Sequence, residues 1–146
     1  MTPSQRELLT EARRATLSTI AQDGRPRMVP VCYALLGNGD LYIALDEKTK
    51  QVSDTRQLAR VRDIERDPRV SLLVDRWSED WTHLAWLRLD GAATVTAPGQ
   101  PARKHAEATA ALRARYPQYI AQRLEEALLL RIRISRVTGW SAGSAG

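Results

Sequence analysis

Alternating apolar and polar positions predict that most of this chain folds as a sheet of hairpin-connected strands. A period of two runs over residues 15–21, and an Asp23-Gly24 turn separates it from an apolar run at 27–36. Such alternation is typical of strands with one buried face, and Asp-Gly favours a tight hairpin turn. Further runs predict four more strands, at 41–45, 70–74, 85–96 and 128–137.

The apolar run at 27–36 differs from the others because both of its faces are apolar. One face carries Val29, Val31, Tyr33 and Leu35, and the other carries Met28, Cys32, Ala34 and Leu36. A strand covered on both sides lies between a core and a second layer, such as a subunit or a ligand. Pro30 has no N–H to donate to a neighbouring strand, so we expect an edge or a break there.

Helical spacing and capping signals predict three to four helices around the strands. Ser4 and Glu7 fit a capping box, which predicts a helix at 4–14. The spacing of Leu58, Val61 and Ile64 predicts a second helix, and residues 102–116 and 117–127 are also helical in pattern. The expected fold is α+β, with a six-stranded antiparallel barrel. It forms one domain over 1–146, with the barrel at 15–137 and a frayed tail at 141–146.

Composition and charge narrow the class of protein. Hydrophobic residues make up 43% of the chain and charged residues 27%, as in ordinary soluble proteins. No apolar run approaches the roughly 20 residues that span a bilayer, and the first residues lack the apolar segment of a signal peptide. We therefore expect a cytoplasmic protein with no membrane partner.

The positive charge does not by itself identify a partner. The 22 basic residues behind the net charge of +5 are spread over every segment and interleaved with acids. This distribution indicates a solvated surface, and we expect no nucleic-acid partner, since phosphate neutralisation needs clustered cations. A polyanionic small ligand would also suit the charge.

The sequence gives no sign of metal or nucleophilic catalysis. Cys32 is the one cysteine and lies in an apolar run, which predicts an inert, buried thiol. His83 and His105 are far apart and lack metal-ligand spacing, so we expect no metal site. Gly-x-Gly-x-x-Gly and P-loop segments are absent from the sequence, which disfavours Rossmann and NTPase folds.

One candidate ligand-binding segment joins the third strand to the following helix. It contains Asp46, Lys48, Lys50 and Arg56. A helix N-terminus favours phosphate through its free amides, and lysine and arginine supply positive charge for the same group. A charged surface loop is the alternative interpretation.

A second candidate segment is rich in tryptophan. Trp77, Trp81 and Trp86 lie within ten residues and are three of the chain's four tryptophans, although aromatic residues make up only 5% of the sequence. Such a cluster in a loop lines a pocket or an interface, with plain core packing as the alternative. His83, which lies within this segment, could stack, donate a hydrogen bond or transfer a proton.

Several segments together resemble the pyridoxamine 5′-phosphate oxidase-like family of FMN-binding split β-barrels. The resemblance is carried by residues 15–20, Asp23-Gly24-Arg25-Pro26, Met28-Val29-Pro30-Val31 and Asp67-Pro68-Arg69-Val70. Residues 72–81 with Asp90-Gly91-Ala92-Ala93 are similar to a branch of coenzyme F420-dependent oxidoreductases. The likeness extends from about residue 14 to residue 140.

The resemblance implies a homodimer with two equivalent sites at the subunit interface. The cofactor's ring would lie against the second and third strands, and its phosphate would lie at the start of the following helix. The implied cofactor-binding residues are Met28, Val29, Pro30, Val31, Leu45, Asp46, Lys48, Lys50, Arg56 and Arg60, the last of which stands ten positions before Val70.

The function implied by the resemblance is hydride transfer between F420, a deazaflavin, and a planar conjugated small-molecule acceptor. In such enzymes the protein binds and orients the reactants and excludes water. The acceptor would stack under Trp77, Trp81 or Trp86, and His83 or Tyr33 would protonate the product. Two alternatives remain open: an FMN-dependent reductase or oxidase of the same fold, and a non-catalytic flavin- or heme-binding protein.

Overall fold

The fold is built on one antiparallel sheet of seven strands, in the order β2-β1-β5-β6-β7-β4-β3. The computed structural model describes residues 1–45 and 58–143. The strands are β1 (Ala15–Ile20), β2 (Pro26–Val31), β3 (Ala34–Leu35), β4 (Leu41–Ala44), β5 (Arg69–Arg76), β6 (Ala85–Thr96) and β7 (Leu129–Ser141). The sheet curls into the half-barrel of a split-barrel α+β fold, which confirms the predicted fold class.

The strand count differs from the prediction because the apolar run at 27–36 breaks. The chain leaves the sheet at Cys32 and Tyr33, so β2 pairs with β1 at one edge while β3 pairs with β4 at the other. Pro30 lies in β2, which is an edge strand, as its missing N–H requires. Gly24 supplies the positive φ of 86° in the turn between β1 and β2.

In the described residues three α-helices surround the sheet: α1 (Pro3–Glu11), α2 (Ala59–Arg66) and α3 (Ala102–Arg115). The predicted capping residue of α1 is wrong by two positions. Thr2 accepts the Gln5 amide at 3.2 Å, and the Gln5 side chain accepts the Thr2 amide at 2.9 Å. Pro3 takes the first helical position, where a missing N–H costs nothing. The helix also ends at Glu11, three residues before the predicted end.

The predicted helix at 117–127 is replaced by two 3₁₀ segments, Pro117–Ala121 and Leu124–Glu126. Arg113 of α3 explains how the chain turns back at this point. Its guanidinium donates to the carbonyl oxygen of Tyr119 at 3.1 Å and to that of Gln122 at 2.6 Å. These bonds hold the carbonyls of the 3₁₀ segments against the end of α3.

Strands β6 and β7 form the longest ladder of the sheet. Its register shifts at Asp90 and Gly91, where a bulge bends the sheet. A Cβ atom at Gly91 would lie 2.2 Å from the Arg133 carbonyl oxygen, so glycine is required there. The ladder continues to Ser141, which pairs with Ala85, and the predicted tail therefore begins too early.

The main core fills the inside of the curled sheet. Side chains from every strand meet there, together with Leu8 and Leu9 of α1 and Val61 and Ile64 of α2. The row of Val29, Val31, Tyr33 and Leu35 that the sequence predicted as one face of the second run points into this core.

A second, smaller core lies on the outer side of the sheet, beneath α3. It contains Ala34, Leu36, Tyr42, Ala44, Ala108, Leu112, Tyr116, Tyr119, Leu124 and Leu129. Cys32 is half-buried against it. The other predicted face of the second run, apart from Met28, is thus covered by α3 rather than by a subunit or a ligand. In the described ranges no helix is long and apolar enough to cross a membrane.

Candidate functional site

The helices leave part of the outer side of the sheet uncovered, and we refer to this part as the open face. It is formed by the outward side chains of β2, β1, β5 and β6 and of the second half of β7. Three large apolar side chains there are strongly exposed: Met28 (67%), Leu73 (44%) and Trp140 (50%). A contiguous exposed apolar patch is typical of an interaction or ligand-binding surface.

The open face contains a cavity of about 670 Å³. Its walls include Met28, Leu73, Trp77, Trp86, Arg88 and Trp140. Trp86 and Trp140 are direct cross-strand neighbours in β6 and β7, so their indoles share one face of the sheet. This volume lies within the usual range of small-molecule sites, about 300–1,000 Å³. Two of the tryptophans predicted to line a pocket, Trp77 and Trp86, therefore do so.

One end of the cavity is polar. The Ser71 hydroxyl donates to Asp90 Oδ1 at 2.6 Å, and Arg88 Nε lies 3.6 Å from the same oxygen. Ser18 and Ser71 also line an adjoining cavity of about 680 Å³, together with Asp90 and Ser135. The open face therefore passes from an aromatic region into a region of hydroxyl, carboxylate and guanidinium groups.

The loop at the rim of the cavity carries the remaining predicted tryptophan. Trp81 is 68% exposed and does not line this cavity. It begins the 3₁₀ segment Trp81–His83, whose first turn is capped by Asp80 through the Thr82 amide at 3.1 Å. The His83 side chain is exposed, with Nδ1 3.5 Å from Asp80 Oδ2. Arg76, which lines the cavity, donates from Nε to the His83 carbonyl at 2.8 Å.

The predicted ring-binding residues of β2 point in two directions. Met28 and Pro30 are exposed on the outer side, whereas Val29 packs against the main core and Val31 is buried in it. Leu45, after β4, is also buried in the main core. Val31 and Leu45 can therefore reach a ligand only through their backbone.

Most of the residues predicted to bind the cofactor's phosphate fall outside the described residues. They are Asp46, Lys48, Lys50 and Arg56. Arg60 is the second residue of α2 and is half-buried.

A buried carboxylate fixes α2 against the sheet. Asp63 accepts hydrogen bonds from Thr19 Oγ1 at 2.8 Å, Arg27 Nε at 2.7 Å and Arg66 Nη2 at 3.0 Å. Burial alone would raise the pKa of Asp63, but these three bonds outweigh it and hold the pKa below its ordinary value. The network thus joins β1 and the exposed strand β2 to the helix that carries Arg60.

The network around Asp63 corrects one expectation from the sequence. The interleaving of basic and acidic residues, which residues 60–67 also show, predicts a solvated surface. Asp63, one of these acids, is nevertheless only 2% exposed. Its burial follows from its position on the face of α2 shared with Val61 and Ile64. No feature of the local sequence distinguishes it from the exposed acids around it.

Tyr33 is poorly placed for proton transfer. It is 1% exposed, and its hydroxyl donates to the carbonyls of Leu9 at 2.6 Å and Ala12 at 3.1 Å. Burial raises the pKa of Tyr33 to about 12, although the nearby Arg115 guanidinium opposes the shift. The cavity walls do not include it. Its role is to bind the last carbonyls of α1.

Sequence reasoning missed two residues that the structure brings into the cavity. Trp140 lies 54 positions after Trp86 and joins it only through the β6–β7 register. Arg88 lies outward on β6, two residues after Trp86. Outward parity along β6 could have suggested Arg88, whereas Trp140 required the pairing of distant strands. Over residues 1–45 and 58–143, no group of three or more potential metal ligands occurs.

Comparison with known proteins adds a family and a shared fold. The family model for pyridoxamine 5′-phosphate oxidase matches residues 1–141. A conserved hypothetical protein from Mycobacterium tuberculosis is 22% identical, with a TM-score of 0.75 over 98% of this chain and 86% of that one. The heme storage protein HutZ from Vibrio cholerae is 16% identical, with a TM-score of 0.71 over 97% of this chain and 94% of that one.

An F420 reductase is also similar, at 16% identity and a TM-score of 0.66 over 94% of this chain and 98% of that one. At these identities the likenesses to solved structures establish the fold alone. None of the curated proteins matches the chain in sequence.

Proposed function

The chain belongs to the pyridoxamine 5′-phosphate oxidase family, and from that premise we propose that it is a coenzyme F420-dependent oxidoreductase. The proposed reaction transfers a hydride between the deazaflavin and a planar conjugated small molecule. The family and its flavin-type ligands favour an oxidoreductase, and the fold is shared with an F420 reductase. FMN in place of F420 is the nearest alternative.

The observation that carries the proposal is the aromatic cavity of the open face. It is large enough for a tricyclic ring beside Met28 and for an acceptor ring on Trp86 and Trp140, and these side chains offer flat or polarisable apolar surfaces. Ligand pockets combine such walls with a few polar groups that fix orientation. Here Ser71, Arg88 and Asp90 supply these groups.

In the proposed complex the cofactor's ring lies beside Met28 and Pro30 of β2, and its phosphate lies near the start of α2. Arg60 would contribute positive charge at that point, with Lys48, Lys50 and Arg56 of the preceding segment. Support for a phosphate there comes from the free amides at a helix N-terminus and from the cations that the sequence concentrates around it.

The proposed assembly is a homodimer formed through the open face. Met28, Leu73 and Trp140 are apolar and exposed on that face, and a second copy would remove them from water. The cavities of the two copies would then be closed at the interface. Water exclusion of this kind strengthens the electrostatic interactions inside a site.

The chemistry that the bound cofactor supplies is hydride transfer. The acceptor would receive two electrons and one proton, as a hydride, at an unsaturated carbon and would then take a second proton, with oxidation of the reduced cofactor as the balancing change. The protein's part is to hold both rings in contact and to exclude water. His83, exposed beside the cavity wall, is the proposed proton donor, and Tyr33 is left out because its hydroxyl is bound to backbone carbonyls.

The test is to titrate the apo-protein separately with F420, FMN and heme, following tryptophan fluorescence. We expect F420 to bind at micromolar concentration or below and FMN more weakly. Arg60→Glu should lower the F420 affinity, whereas Arg62→Glu, an exposed change on the same helix, should leave it unaltered. A preference for FMN would make the protein a flavin enzyme, and binding of heme alone would refute the enzyme proposal.

The dimer has its own test, by sedimentation at several protein concentrations. Leu73→Arg places a charge on the open face and should convert the dimer to a monomer. Ile120→Arg changes another exposed apolar residue, which is 68% accessible and lies in the 3₁₀ segment outside the open face. It should leave the dimer intact. A wild-type protein that is monomeric throughout would contradict the proposed assembly.

A further inference from the structure

Arg88 occupies an unusual position at the centre of the open face. It stands on β6 with Leu73 of β5 on one side and Thr138 of β7 on the other. Its side chain is 44% exposed and forms part of the wall of the tryptophan-lined cavity. A guanidinium at this position, between an aliphatic and a hydroxyl side chain, can offer donors to a molecule held in the cavity.

The protein supplies Arg88 with only a loose partner. Asp90 Oδ1 lies 3.6 Å from Arg88 Nε, which exceeds hydrogen-bond distance, and that oxygen already accepts the Ser71 hydroxyl at 2.6 Å. Asp90 is the only acid within ion-pair distance of Arg88 in the described part of the chain.

Arg76 and Arg131 are more fully engaged than Arg88. Arg76, in the same cavity, is bound to the His83 carbonyl at 2.8 Å and to Glu11 at 3.4 Å. Arg131, on the covered side of the sheet, lies 3.2 Å from Asp40. The guanidinium of Arg88 therefore has donors to offer to a molecule in the cavity, in a planar fork that matches a carboxylate.

The spacing of the cavity wall relates Arg88 to the indoles. Trp86 precedes Arg88 by two residues on the same face of β6, which corresponds to about 6.8 Å along a strand. Trp140 is the cross-strand neighbour of Trp86. A flat ring in contact with the indoles would therefore place a substituent on its edge within reach of the guanidinium.

We propose that the cavity selects planar conjugated acids, with the ring on Trp86 and Trp140 and the carboxylate paired with Arg88. This inference rests on the proposed function and names the class of acceptor for the same site. A charge-assisted pair of this kind is stronger than a hydrogen bond between neutral groups. Arg88 is thereby a specificity-determining residue that sets the direction in which an acceptor lies in the cavity.

The experiment compares two probes with the same ring and different charge, 2-naphthoate and 2-naphthamide. Each is titrated into the full-length apo-protein by calorimetry. We expect the acid to bind about tenfold more tightly, the size of a charge-assisted hydrogen bond. Arg88→Gln should reduce this preference to less than about twofold, and Arg88→Lys should keep part of it because a point charge remains.

A matched control separates the site from the net charge of the protein. Arg103→Gln also removes one positive charge, but Arg103 is 92% exposed on α3 and lies outside the cavity. It should leave the preference for the acid unchanged. Circular dichroism and the thermal midpoint establish that Arg88→Gln is folded, and Arg88→Lys provides a second variant if it is not.

Two results would overturn the inference. One is equal binding of acid and amide to the wild-type protein, and the other is a preference for the acid that survives in Arg88→Gln. Loss of the dimer in Arg88→Gln, together with equal binding of both probes to the wild type, would instead assign Arg88 to the subunit interface. The cofactor titrations are separate: failure to bind F420 or FMN with an intact, Arg88-dependent preference would refute the proposed function alone.

Discussion

The outer side of the sheet has two regions that share strand β7 but differ in what covers them. Strand β7 enters both: Leu129 near its start is fully buried beneath α3, whereas Trp140 near its end is 50% exposed on the open face. In the covered region the sheet carries the small residues Ala34 and Ala44, which let α3 approach closely, together with Tyr42. The open region presents Trp86, Trp140 and other large side chains to solvent.

The difference shows that this chain covers one half of the outer side of the sheet with its own residues and leaves the other half uncovered in the described structure. Residues 97–128 leave the sheet after β6 and return as a cover for one half of the outer side. No comparable segment covers the other half in the described structure. Aromatic residues left exposed on a rigid sheet are well suited to contacts with other molecules.

The largest expected effect is on the free energy of unfolding. It should differ strongly between the two regions when a leucine in each is replaced by alanine. Leu112→Ala, in the covered region, removes a fully buried side chain and should destabilise the protein by about 3 kcal/mol. Leu73→Ala, in the open region, should change the stability of the monomer by less than about 0.5 kcal/mol. Urea unfolding at low protein concentration measures both. Similar losses would mean that the open face is already covered in the monomer.

Part of this comparison could be predicted from the sequence. The two apolar faces of the run at 27–36 indicated layers on both sides, and the structure confirms both for Val31 and Ala34. Strand and helix positions follow from local periodicity, which depends on neighbouring residues alone. The break at Cys32 does not, because it depends on which distant strands accept the two halves.

The site was less predictable, for a physical reason that Trp140 and Asp63 illustrate. Trp140 reaches the cavity through a register with Trp86 that includes a bulge, and a bulge changes which side chains face outward. Asp63 is buried because Thr19 and Arg27, from different strands, satisfy it. Pairing across the sheet determines the position of Trp140, and the packing of α2 against β1 and β2 determines that of Asp63.

A second prediction sharpens the comparison within the open face itself. Trp140→Leu removes one of the paired indoles and should weaken the binding of 2-naphthoate about tenfold, the upper range for an aromatic contact. Trp81→Leu, outside the cavity of its own subunit, should weaken it less than about twofold. Calorimetric titration of both variants gives the two affinities. Equal losses would show that Trp81 also contacts the ligand, from the same subunit or from its partner.

A third prediction concerns a flaw in the covered region. The Thr109 hydroxyl of α3 is buried, and no described residue hydrogen-bonds it. Thr109→Val keeps the shape and removes the unsatisfied group, so it should stabilise the protein by about 1 kcal/mol. Thr94→Val, at an exposed position of β6, is the control and should have little effect. A destabilised Thr109→Val variant would mean that bound water or a rotated hydroxyl satisfies this group.

The smallest effect expected is a pH dependence of the stability of the segment at 97–128, which covers half of the outer side. Arg113 hydrogen-bonds both carboxylate oxygens of Glu125, and this interaction lowers the pKa of Glu125 to about 2. Because the pKa in the folded state is below the ordinary value of 4.5, the stabilisation is complete above that value. It is lost as the pH falls through about 2, when Glu125 becomes protonated in the folded protein as well.

Glu125→Gln should therefore lower the urea midpoint relative to the wild type at pH 7, and the two midpoints should converge as the pH approaches 2. Glu126→Gln is the matched control, because Glu126 lies 3.8 Å from Arg123 in a loose, exposed ion pair. Its midpoint should follow that of the wild type throughout. A difference in urea midpoint between the wild type and Glu125→Gln that stays constant down to pH 2 would contradict this prediction. It would show that the amide disturbs the 3₁₀ segments by its shape, and that ionisation of Glu125 contributes nothing to stability.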